Sequence, residues 1–200
     1  MRGCRWRATS TTSSARWSRS RRACSSASAR CRCRDIDLAI DELQRLAAEP
    51  GSAGVEVGGN INGVPIDRRL AAASVITGNL IVRRPTLRIA FSHGGGTLSS
   101  LLPRLQHAWH TLPPVRKAVP ADPTSLARRM YFDDLVYDDA AIHRLIDVFG
   151  ASQILVGSDY PFAVMDDDPA GRVESLALTA QDSAMLRSLN ARRWLGLEST

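Results

Sequence analysis

Cysteine is missing from most of this chain. All four cysteines (Cys4, Cys24, Cys31, Cys33) lie within the first 34 of 200 residues. A disulfide-built secreted domain is therefore excluded for the remainder. Lysine is almost absent, with Lys117 alone against 25 arginines. No window approaches 18 consecutive apolar residues, so no transmembrane helix is expected. The N-terminus has charge throughout and no apolar core segment, so a secretory signal peptide is not expected. Acidic residues are also unevenly placed. Residues 1–34 hold ten arginines and no Asp or Glu, while the other 166 residues hold 16 basic and 20 acidic groups. The formal charge of +6 thus joins a head of +10 to a body of −4. A uniformly basic nucleic-acid-binding domain is excluded, because the foldable part is mildly acidic.

The head is Arg, Ser, Ala, Thr, Cys and Trp with almost no Leu, Ile or Val, so disorder is expected over residues 1–34. An Arg- and Ser-rich transit peptide and a basic arm for nucleic acid share this composition. Out-of-frame translation of GC-rich DNA accounts for it better. Cys31-Arg32-Cys33-Arg34 can be coded so that a one-base shift reads Val-Pro-Leu-Gln. The nucleotide sequence upstream of the Asp35 codon tests this: without an apolar frame there, the explanation fails.

The body, residues 35–200, reads as alternating strands and helices. Asp35–Ala48 has helical spacing with Asp35 as N-cap. Gly54–Val57 is a short strand, and Leu70–Val82 an Ala-rich helix. Leu87–Ser92 is a strand running into His93-Gly94-Gly95-Gly96, followed by a helix over Leu98–His110 with Pro103 near its start. Pro113–Pro123 reads as a Pro-rich loop. Arg129–Val136 is a strand, Ala140–Phe149 an amphipathic helix closed by Gly150, and Gln153–Gly157 a buried-type strand. Glu174–Leu197 reads as two helices broken near Asp182. Such alternation implies parallel strands with helical crossovers, an α/β fold. Chemistry in such folds gathers at the C-terminal ends of the strands.

His93, Asp133, Asp134 and Asp159 all fall at those ends. His93 can act as acid, base or ligand. The glycines after it would let a substrate approach closely, and their N–H groups could bind an anion at the helix start. Asp159 could ligate a metal or act as a base. For Asp133 and Asp134, hydrated strand ends are the expectation. His107 and His110 read as exposed helix residues, and His143 as structural. No G-x-G-x-x-G is present, so a dinucleotide site is not expected.

At His93-Gly94-Gly95-Gly96 and Gly157-Ser158-Asp159-Tyr160-Pro161-Phe162 the sequence resembles the amidohydrolase-related family. This is the branch of the amidohydrolase superfamily containing aminocarboxymuconate-semialdehyde and γ-resorcylate-type decarboxylases. Supporting pieces are Gly54–Pro65, Ile76–Gly96, Met130–Asp138 and Gln153–Phe162. The resemblance implies a (β/α)8 barrel, one divalent metal (zinc first) and a small carboxylic acid substrate. It implies a decarboxylase or hydrolase, with Asp159 as metal ligand and catalytic residue and His93 as catalytic acid or base. The chain departs from the family in having no His-x-His pair and no middle-strand His. Pro65 and Leu70 stand where several tens of residues would separate their elements, so truncation and an internal deletion are expected. The barrel would then be incomplete, its edges open to a homo-oligomeric contact. A cytoplasmic protein without nucleic-acid or membrane partners is the further expectation.

Overall fold

The computed structural model describes residues 55–57, 60–61, 64–65 and 68–197. The expected Asp35–Ala48 helix and the Arg-rich head lie outside these. Strand β1 (Val55–Val57) is followed by a two-stranded antiparallel ribbon, β2 (Asn60–Ile61) with β3 (Val64–Pro65). Strands β4 (Ile89–Phe91), β5 (Tyr131–Asp133) and β6 (Ile154–Leu155) complete a four-stranded sheet in the order β1-β4-β5-β6. Every pairing in it is parallel. Each of these strands is followed by helices before the next, the alternation expected of an incomplete (β/α)8 barrel.

The core sits between the sheet and its helices. Strand β4 is buried along its whole length, as a strand covered on both faces must be. Phe132 stacks on Phe149 at 3.8 Å and on Phe91 at 6.0 Å between ring centres. Ile76, Ile89, Leu98, Met130, Ile142 and Ile154 are fully buried around them. Helix α6 (Asp139–Phe149) starts where the Asp138 side chain accepts the Ala141 N–H and stops at Gly150. Its apolar face, Ile142, Leu145 and Phe149, turns inward.

Three helical expectations need correction. Leu70–Val82 is not one helix but two, α1 (Arg68–Thr77) and α2 (Leu80–Arg83). Asn79 breaks them by taking a left-handed conformation (φ 57°) and donating its side-chain amide to the Ala118 carbonyl at 2.6 Å. The Pro-rich stretch after helix α3 (Leu98–Thr111) is not a loop. It holds α4 (Pro113–Ala118) and the start of α5 (Pro123–Ala127), each begun by proline, whose missing N–H costs nothing in a first turn. The C-terminal break falls at residues 176–179, between α7 (Pro169–Ser175) and α8 (Ala180–Ala184), because Thr179 caps α8. Its hydroxyl accepts the Asp182 N–H at 3.1 Å and donates to the Asp182 carboxylate at 2.8 Å. Asp182 is thus a cap partner, not a breaker. A π-helical turn (Met185–Leu189) then leads into α9 (Asn190–Leu195).

Pro103 lies inside α3 and withholds an N–H from the Ser99 carbonyl one turn earlier. Arg144 on α6 faces that carbonyl at 3.4 Å, the long partner that replaces it.

Candidate active site

Strands β4, β5 and β6 are parallel neighbours, so their C-terminal ends meet along one edge of the sheet. His93 follows β4, Asp133 ends β5, and Asp159 follows β6. The residues that the sequence reading singled out therefore lie at one end of the sheet, with His93 and Asp159 both half-buried.

The turn carrying His93 is unusual in its backbone. His93, Gly94, Gly95 and Gly96 all have positive φ, 55°, 61°, 69° and 65°. Glycine takes this conformation freely, whereas His93 does so at a cost of about 1–2 kcal/mol. The turn is held from the neighbouring strand. The Asp133 carboxylate accepts the Gly94 N–H at 3.0 Å and the Leu135 N–H at 3.2 Å. Gly95 donates to the Ser92 carbonyl and Gly96 to the His93 carbonyl. The expected anion site on these amides is thus taken: the anion at Gly94 is the protein's own Asp133. Close approach by a substrate is also not what the first two glycines provide. A Cβ on Gly95 would sit 2.6 Å from the Phe132 ring, and one on Gly94 would sit 2.8 Å from Leu145. They are small because the core presses on them.

Asp134 departs furthest from expectation. It is not a hydrated strand end but fully buried. Its Oδ1 accepts the Gly157 N–H at 2.9 Å and pairs with Arg172 at 2.9 Å. Burial raises its pKa above the ordinary carboxylate value, while the Gly157 N–H and the Arg172 guanidinium pull it back. Among the described residues its Oδ2 has no hydrogen-bond partner. Arg172 also donates to the Gly157 carbonyl at 3.1 Å and pairs with Asp166. Gly157 and Asp166 begin and end the loop that carries Asp159. A further bond joins its ends, from the Asp166 N–H to the Ser158 carbonyl at 2.8 Å.

Asp159 itself has a left-handed backbone (φ 57°). Its Oδ2 faces the Tyr137 hydroxyl at 3.2 Å, and that hydroxyl also donates to the Val164 carbonyl at 2.7 Å. Desolvation, then the Asp159 charge, raise the Tyr137 pKa. Sequence reasoning missed Tyr137 and Arg172. The one available signal for Arg172 was its place four residues after the run Asp166-Asp167-Asp168, where a lone cation has carboxylates to answer.

The remaining histidines stand elsewhere. His107 and His110 are exposed on α3, as expected. His143 is exposed on α6 and not structural, because the helix turns Ile142 inward and its neighbour outward. The four histidines of the chain thus leave His93 alone beside the sheet end. Among the described residues no group of three or more His, Cys, Asp or Glu could hold a metal. The donor set of His93 and Asp159 does not fit the divalent-metal site that the resemblance implies, since such sites use three or more protein ligands.

Residues 62–197 match the model of the amidohydrolase family. A 2-amino-3-carboxymuconate-6-semialdehyde decarboxylase of Dictyostelium discoideum is 30% identical over 138 residues, 68% of this chain and 38% of that protein. Its namesake from Caenorhabditis elegans is 32% identical over 139 residues, 68% of this chain and 34% of that protein. This chain therefore spans little more than a third of either relative. Among solved structures, a dihydroxybenzoic acid decarboxylase from Polaromonas sp. has a similar fold. It was determined with bound manganese and the inhibitor 2-nitroresorcinol. The TM-score is 0.60 at 20% identity, covering 83% of this chain and 67% of that one.

Proposed function

This chain belongs to the amidohydrolase family, and on that footing we propose that it carries the acid–base part of a carboxy-lyase site for a small, unsaturated or aromatic carboxylic acid. The supporting observation is the placing of His93 and Asp159 beyond the C-terminal ends of β4 and β6, the two strands that flank β5, each held from β5 or the residues just after it. The named decarboxylases among its relatives support the reaction class.

Decarboxylation breaks the bond from the substrate carbon to its carboxylate. Carbon dioxide leaves, and the electron pair left on carbon takes up a proton. A protonated His93 imidazole is suited to supply that proton, because its turn is clamped by the Asp133 carboxylate through the Gly94 N–H. Asp159 would orient the substrate or a water through the carboxylate oxygen not facing Tyr137. Electrostatic stabilisation of the carbanion is not provided by these two side chains, and among the described residues no group of three or more His, Cys, Asp or Glu could add a metal. The proposal is therefore a site that binds and can protonate, with turnover requiring further donors. A non-catalytic remnant is the rival, favoured by the same donor count.

Titration of the chain with 2,6-dihydroxybenzoate, followed by NMR of the histidine rings, tests the binding claim. The His93 ring signals should shift while those of His107, His110 and His143 stay still, and little or no carbon dioxide should be released. A His93 signal that never moves would leave the remnant reading standing.

A further inference from the structure

Among the described residues the sheet has four strands where the family barrel has eight. Among the described residues β1 pairs only with β4, and β6 only with β5. On the outer side of β6 the cover is partial. The buried Asn190 side chain reaches it from α9, donating to the Ala151 carbonyl at 2.7 Å and the Ile154 carbonyl at 2.8 Å. In a parallel ladder alternate residues turn their backbone groups to opposite neighbours. Leu155 accepts the Asp134 N–H from β5, so Val156 faces outward, and the described residues provide no hydrogen-bond partner for its backbone.

Just beyond Val156 the Asp159 loop exposes large apolar side chains. Tyr160, Phe162, Val164 and Met165 are 77%, 63%, 66% and 41% exposed. The loop is nevertheless pinned at both ends by Arg172 and in its middle by Tyr137. An anchored segment that turns four apolar side chains to water beside an open strand edge is surface for a partner to cover.

We infer that the partner is a second copy of this chain, placed so that two four-stranded sheets close one eight-stranded barrel. The strand number and direction single out this occupant. All four strands are parallel, so a two-fold axis along them keeps eight strands parallel and sets β6 of each copy against β1 of the other. Both edges of both sheets are used, and the assembly stops at two copies instead of growing as a fibre. Closure brings two His93 and two Asp159 to one mouth, a set that neither copy has alone. The inference stands on the sheet and its edges and does not depend on the carboxylate chemistry.

Sedimentation velocity of the full chain tests it. The expected species has twice the 21.8 kDa chain mass and does not grow with concentration. Val156→Pro removes an outward N–H without costing a bond to β5, and should give a monomer with unchanged far-ultraviolet circular dichroism. Phe162→Ser with Val164→Ser alters only exposed positions and should weaken the dimer by about tenfold or more, which covers the case of a proline variant that fails to fold. A monomeric wild type would overturn the inference. So would a ladder of larger assemblies, or a dimer that both variants leave intact.

Discussion

Replacing Arg172 by Met should destabilise this protein more than any other single loss of charge. The side chain of Arg172 is 11% exposed and that of its partner Asp134 0%, at 2.9 Å. Removing the guanidinium leaves a carboxylate in the core with the Gly157 N–H as its remaining named donor. Breaking a buried pair from one side costs about 3–5 kcal/mol. For a chain of this size that corresponds to a fall in Tm of roughly 6–20 °C. The pH dependence carries a sign. The folded pKa of Asp134 lies above its unfolded value because burial disfavours the charge. Its contribution is therefore fully present below the unfolded pKa and is lost as pH rises through the folded one. Without Arg172 the folded pKa rises further, so the variant should lose more stability than wild type between acid and neutral pH. Chemical denaturation of wild type, Arg172→Met, Asp134→Leu and the double variant measures the coupling. The double variant should recover much of the loss, since an apolar pair leaves no buried charge. The reasoning is refuted if Arg172→Met costs less than about 1 kcal/mol, or if it costs as much in the Asp134→Leu background as in wild type.

Gly95→Ala should lose about 2–4 kcal/mol in the same denaturation assay. The new methyl meets the Phe132 ring at 2.6 Å and the backbone is left-handed. His93→Gly should be more stable than His93→Ala by about 1 kcal/mol, because glycine relieves a φ of 55° that alanine retains; equal midpoints would contradict the strain at this turn. Dialysed protein should carry well below one equivalent of zinc or manganese by plasma mass spectrometry. A value near one would show that donors beyond His93 and Asp159 complete a site.

Much of the candidate site was legible because it depends on local pattern. A short apolar run followed by His-Gly-Gly-Gly, and another followed by Ser-Asp-Tyr-Pro, identify strand ends whatever packs on them. Strand–helix alternation then implies a parallel sheet, and parallel strands carry their ends to one side. A helix end was legible where a single residue governs it, as Gly150 does for α6. One was misread where the deciding bond crosses the fold, as for Asn79 and the Ala118 carbonyl.

Charge environment was not legible. Asp133 and Asp134 are adjacent and chemically identical, yet one clamps the His93 turn while the other is sealed in the core with Arg172, 38 residues later. Alternation along a strand sends neighbours to different surroundings, but which surroundings hold an N–H or a guanidinium depends on the loops that close over them. The glycines after His93 show the same division. Their presence in the sequence announces a turn with positive φ. That two of them yield to Phe132 and Leu145, and that their amides are already bonded within the chain, follows from packing between residues distant in sequence, which no local pattern encodes.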